Sequence, residues 1–354
     1  MNNEISDKRL IKDFKGITFS NFKKSSAKKE FLNTLLNGKI EESCYWCAEY
    51  ICAGHYIDLW DIIFLFISKY IHLGNPKLPC YIELRLTDFK NILNGGYIGN
   101  ELNLRNNDKI RKLFAEIITI ICLSKKKSSF DCPKIKENDY ISFNNSFKLK
   151  AINVSYANKI FKKNDPKELF IAINELAYNI INKVKNPNDA YYWFEWILGF
   201  ETLAKKNKKS ISSARRDFNV LSKFQNDIIW IVWDVILNES YKRNQGIQKI
   251  IQSLAELYCI RYSPGSKKKR KFIIYFAISL LTEIVDNNIP IFNNSETIQA
   301  VKNKIDNIYK QIKVNEIKPN TDYLFTGLNS GNLEKTIAKL DKMSRLNNII
   351  RSNN

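Results

Sequence analysis

The chain has little of what catalysis ordinarily uses. Its 354 residues include only 2 histidines, which leaves almost nothing for a multi-histidine metal site or a histidine-based hydrolase. No G-x-S-x-G elbow, H-E-x-x-H pair or G-x-x-x-x-G-K-[ST] phosphate loop occurs in it. Glycine and proline number 12 and 8, where ordinary usage would give about 25 and 18. Both break helices, so their scarcity favours long helices joined by few tight turns. Long apolar runs are missing too. The stretch 57–73 is interrupted by Asp58, Asp61 and Lys69, and the stretch 272–281 has only ten residues. Both fall short of the ~20 apolar residues a membrane span needs and read as core helices.

The first 15 residues are polar and charged, with no apolar signal-peptide core. Cysteine numbers 7, an odd count, and several lie inside apolar helical patterns. These features predict free thiols in a reducing compartment, the cytoplasm or nucleus.

What is present is apolar and basic. Hydrophobic residues make up 44% and aromatics 12%, enough for a sizeable core and too many for a disordered chain. Lys and Arg number 56 against 36 Asp and Glu, a net charge of +20. A field of that sign attracts polyanions: nucleic acid, an anionic membrane or an acidic protein surface. A generally lysine-rich composition would raise the same number without a partner.

The periodicity predicts an all-α protein of two packed helical domains, 1–123 and 150–354, joined by an irregular basic linker at 124–149. The first block should hold helices at 28–37, from Glu41 to Cys52 and from Asp58 onward, with Gly38 and Gly54 as breaks. A linker follows at 73–82. A short alternating strand at 81–86, a helix at 88–93 capped by Thr87 and a helix at 108–123 complete it. The second block should open with a short helix at 155–161. Asp165-Pro166-Lys167-Glu168 reads as a capping-box start for a helix reaching 184, and Asn186-Pro187-Asn188-Asp189 as another for a helix reaching 204. Further helices are expected at 214–238, 243–258, 271–285, 296–312 and 333–351.

Glu42-Ser43-Cys44-Tyr45-Trp46 and Asp189-Ala190-Tyr191-Tyr192-Trp193 share a loose pattern, each after an amphipathic helix and a turn. A diverged duplication of a helical hairpin would explain it, as would chance in an aromatic-rich helical chain. A turn with an acid followed by a Tyr-Trp-bearing helix resembles the helical collar of clamp-loader proteins of the replication factor C family. The resemblance covers some 45 residues per block. It implies a replication-accessory setting and no ATPase, because the phosphate loop is missing. The Asn-, Ile- and Lys-rich style also resembles uncharacterised proteins of large cytoplasmic DNA viruses.

Cys44, Cys47, Cys52 and His55 have the spacing of four zinc ligands. At 100° per residue they share an arc of about 140°, but along one helix they spread over about 16 Å. A single ion cannot gather them unless the helix breaks, and no breaker lies between Cys47 and Cys52. Buried free thiols are the expectation, with no metal and no cofactor. His72 is expected to cap carbonyls at a helix end. Trp193/Trp196 and Trp230/Trp233 lie at i, i+3 among aliphatics and are expected in the core.

The basic runs are the stronger functional signal. Lys205, Lys206, Lys208, Lys209, Arg215 and Arg216 occur with no acid from 202 to 216. Lys267, Lys268, Lys269, Arg270 and Lys271 lie in an acid-free stretch between Glu256 and Glu283, and Lys125-Lys126-Lys127 is a third run. All are expected in loops or at helix starts, where two of them could share one end of a bundle. The predicted function is that of a non-enzymatic nucleic-acid-associated accessory or scaffold protein. It would grip phosphates through these lysines with little base readout. The alternative is a structural or assembly protein of a large DNA virus, whose charge meets acidic protein or packaged genome.

Overall fold

A computed structural model describes residues 3–136, 138–141, 148–181 and 183–317. The described residues form thirteen α-helices and no strand. In chain order these are α1 (Lys24–Leu36), α2 (Ile40–Cys52), α3 (Tyr56–Phe66), α4 (Leu78–Asn94), α5 (Asp108–Leu123), α6 (Asn138–Ile141) and α7 (Phe170–Ile180). Then come α8 (Pro187–Lys206), α9 (Ile229–Ser240), α10 (Gln245–Cys259), α11 (Pro264–Lys269), α12 (Lys271–Thr282) and α13 (Ser295–Lys313). The helix expected at 333–351 falls outside the described residues.

Asparagine opens several of these helices. Asn107, Asn186, Asn244 and Asn294 each accept a backbone N–H from the first turn of α5, α8, α10 and α13, satisfying a donor the helix itself cannot. Gly38 and Gly54 close α1 and α2 with left-handed φ of 67° and 74°, which a residue without Cβ adopts freely.

Several local expectations are corrected. Residues 81–86 are not a strand but part of α4, with Pro79 near its start. Tyr81, Ile82, Leu86 and Phe89 form its buried face, while Leu84 is 61% exposed. An apparent two-residue alternation was the edge of a helical stripe, and Thr87 lies inside the helix, donating to the Glu83 carbonyl. Residues 155–161 make turns rather than a helix. Asp165 does not cap α7: its carboxylate takes the Lys162 and Ala214 N–H groups and the Arg216 guanidinium. The stretch expected as helix from 214 holds only a 3-10 turn at Ser222–Phe224 before α9, and Trp230 and Trp233 lie in α9. His72 stacks on Phe276 at 4.8 Å, and burial depresses its pKa to about 3.

Among the described residues, helices from the two parts of the sequence pack on one another. α13 returns from the far end of the chain to pack on α5 and α2, α10 packs on α4, and α12 on the turn after α3. One buried cluster runs from Ile5 to Ile312. Ion pairs join the two parts of the sequence: Arg111–Asp306 at 2.8 Å, Lys302–Glu116 at 2.7 Å and Arg270–Asp61 at 2.8 Å. Trp193, Trp196, Trp230 and Trp233 are all buried. Trp230 and Trp233 meet Tyr258, and Tyr191 stacks on Tyr275 at 4.5 Å.

The 124–149 stretch begins tied to the body. Lys127 N–H donates to Ile71 O and Ser129 N–H to Lys69 O. No helix among the described residues is long and apolar enough to cross a membrane. All seven cysteines are free thiols.

Candidate polyanion-binding surface

α8 is a twenty-residue helix that carries its charge to one end. Asp189 in its first turn is buried and pairs with Lys148 and Lys150, whose ammonium groups outweigh the effect of burial and hold its carboxyl below the usual range. Lys205 and Lys206 close the last turn, where cations complement the helix dipole. The chain then reverses. Lys209 N–H donates to Ala204 O at 2.8 Å while Lys208 takes a left-handed φ of 57°. Lys205, Lys206, Lys208 and Lys209 are all exposed.

Arg216, from the same run, goes the other way. It is 2% exposed. Its guanidinium meets both Asp165 oxygens at 2.8 and 2.7 Å, the Asp234 carboxylate, and the Ile160 carbonyl at 3.3 Å. Burial alone would lower its pKa, but Asp165 and Asp234 outweigh that and raise it. Asp165 in turn is held below the usual carboxylate range despite burial. Arg216 is a structural cation and offers nothing to a phosphate. Its neighbour Arg215 is exposed, with Nε donating to Gln225 at 2.7 Å.

The second run divides between inward and outward members. Ser263 and Ser266 form a capping box and Pro264 starts α11. Lys267 lies in α11, Arg270 at the break between α11 and α12, and Lys271 at the start of α12, and all three meet carboxylates of the body. Lys267, 3% exposed, pairs with Glu201 at 2.6 Å and Asp227 at 2.5 Å. Arg270, 5% exposed, pairs with Asp61 and donates to the Tyr258 and Ile260 carbonyls. Lys271 pairs with Glu195 at 2.7 Å; burial opposes its charge, yet Glu195 raises its pKa overall. Lys267 and Arg270, like Arg216, are therefore withdrawn from the expected phosphate contacts. Lys268 and Lys269 face solvent.

The inward cations are also what joins the runs. Glu201 on α8 binds Lys205 at 2.7 Å with one oxygen and Lys267 at 2.6 Å with the other. Asp227, the other partner of Lys267, lends its carbonyl to Ser213 Oγ, two residues from Arg215. The end of α8, the 208–215 stretch and α11 thus meet at one place. Their exposed cations are Lys205, Lys206, Lys208, Lys209, Arg215, Lys268 and Lys269. The structural acids Glu201 and Asp227 were overlooked in the sequence because they lie outside the acid-free runs they neutralise. The third run, Lys125–127, does other work: Lys126 donates to carbonyls at the end of α5 and Lys127 pairs with Glu283.

One cleft accompanies this surface, of about 470 Å³ and lined by Lys206, Lys268 and Lys271 among others. A larger one, of about 720 Å³, lies between α3, α4 and α10 and is lined by Trp60, Phe89, Glu83, Glu256 and Arg261, with none of the exposed cations above.

The four residues with zinc-ligand spacing lie along α2 and just beyond its end. α2 is one unbroken helix through Cys52, and burial pushes the Cys44, Cys47 and Cys52 thiols up. His55 Nε2 lies 2.7 Å from the Ile17 carbonyl. Among the described residues no group of three or more His, Cys, Asp or Glu side chains is placed to hold a metal ion. No protein-family model, curated protein or solved structure matches the chain.

Proposed function

We propose that the protein is a non-enzymatic accessory or scaffold protein that binds nucleic acid through the phosphate backbone. The surface where α8 ends and α11 begins would make the contact. The supporting observation is Glu201, whose carboxylate holds Lys205 on its own helix and also Lys267, 66 residues further along the sequence. Lysines that are separate in the chain thereby become neighbours in space. Lys208, Lys209, Lys268 and Lys269 are exposed with no carboxylate on them among the described residues. Charges so placed can neutralise phosphates and free the counterions condensed on the strand, and they carry little information about bases.

The test is charge reversal at these four positions, which leaves the buried pairs intact. Lys208→Glu/Lys209→Glu/Lys268→Glu/Lys269→Glu should keep its thermal transition and lose binding to a labelled oligonucleotide at least ~100-fold at 50 mM salt. Reversing Lys28 and Lys29, exposed on α1, serves as the control and should change affinity only a few-fold. Equal losses in the two variants would mean that net charge, not this surface, is responsible. An acidic protein bound at the same lysines, with no nucleic-acid binding, would support the assembly reading instead.

A further inference from the structure

The smaller cleft adds shape to a surface so far described by charge. It lies between the C-terminal half of α8, the start of α12 and the segment leading into α6. Lys206, Lys268 and Lys271 line it together with Ile135, Leu203 and Tyr140.

Tyr140 is held there by an absence. A Cβ at Gly199 would overlap the Tyr140 hydroxyl, so the bare backbone of α8 is what lets the ring come so close. Behind it the ring is tilted against Trp196 at 5.4 Å. Trp196 stacks on Phe200 at 5.1 Å and 7°, and donates its indole N–H to the Asp139 carbonyl at 3.0 Å. The ring of Tyr140 is thus fixed by packing yet half-buried, as a stacking platform has to be. Lys271 spends its charge on Glu195. Lys268 has no ion pair among the described residues and is exposed.

We propose that this cleft takes one unpaired nucleobase of a single-stranded nucleic acid, a proposal that rests on the polyanion reading above. The base lies against Tyr140 and the apolar walls, and an adjoining phosphate meets Lys268. The volume of about 470 Å³ falls in the range of small-ligand pockets, ~300–1,000 Å³, and admits a nucleoside-sized group. A duplex cannot supply one without unstacking it, because its bases are paired inside the helix. Stacking is tolerant of base identity, so the preference is for strandedness rather than sequence.

Fluorescence anisotropy on the full chain separates the possibilities. The probes are a labelled oligothymidylate, the same strand with abasic sites, and a duplex of equal length, all at 100 mM salt. The expected order is oligothymidylate tightest, with abasic strand and duplex each about tenfold weaker. Tyr140→Ala should bring oligothymidylate down to the abasic level and leave the duplex unchanged, while Tyr140→Phe keeps the wild-type order. Abasic and base-bearing strands bound equally by the wild-type chain would overturn the proposal, whatever the variants do. In that case the polyanion reading survives; if no probe binds at all, the polyanion reading falls with it.

Discussion

Arg216 and Asp165 show how strongly the fold depends on single charged groups. The Arg216 guanidinium, itself buried, touches two carboxylates and two carbonyls. Attraction there must offset a large desolvation penalty, so removing one partner hurts more than the pair contributes. Asp165→Ala should destabilise the protein by about 3–5 kcal/mol in urea unfolding at pH 7; an unchanged midpoint would contradict the ion-pair geometry. The pH dependence follows from the same group. Asp165, Asp189, Asp7 and Glu116 all have folded pKa values lowered by their partners, against the upward push of burial. A depressed carboxylate contributes stability that is fully present above its unfolded pKa, about 4. That contribution is lost as pH falls through the folded value. The melting temperature should therefore hold above about pH 5 and drop below about pH 4, and the drop should be shallower in Asp165→Ala. Nothing in the local sequence distinguishes Arg216 from its exposed neighbour Arg215. Burial there is decided by Asp165 and Asp234, 51 and 18 residues away.

At the scale of elements, helices with a cap and one apolar stripe were legible. α5 spans Asp108–Leu123, the range expected for it, and α8 and α13 begin at or beside their expected starts. What misled was local chemistry that tertiary contacts reassigned. Asp165-Pro166 has the residues of a cap, but the carboxylate serves Arg216 instead. Residues 81–86 alternate over too few positions to separate a strand from the edge of a helical face. The five-cation run at 267–271 was legible as charge. Its division into inward and outward members was not, because the chain turns at Arg270 between α11 and α12. Nor were the carboxylates awaiting them. The stretch expected to be a linker starts as a strap on the body, where a Cβ at Gly74 would overlap the Lys125 carbonyl oxygen. Gly74→Ala should thus lower stability by about 1–3 kcal/mol, read as a lower urea midpoint at unchanged slope. A midpoint equal to that of the wild type would show that the 124–129 segment is free to move aside.

For the whole molecule the question is where a net charge of +20 goes. A good part of it is internal wiring: Lys267, Arg270, Arg216 and Arg111 tie helices together through buried or half-buried carboxylates. These pairs cancel locally and leave the excess on outward lysines. Around the end of α8 that excess gathers beside an apolar cleft. Rigid helices and shared carboxylates hold the two basic runs in register, so a bound strand would meet a preformed surface. The most direct measurement is the affinity of the wild-type chain for a single-stranded oligonucleotide between 50 and 200 mM salt. A phosphate-gripping surface of about five contacts gives a log–log slope near −3.5, a loss of about 100-fold across that range. The four-site charge reversal should flatten the slope by about 3. A wild-type affinity that does not change with salt, or no measurable binding at 50 mM, would contradict it.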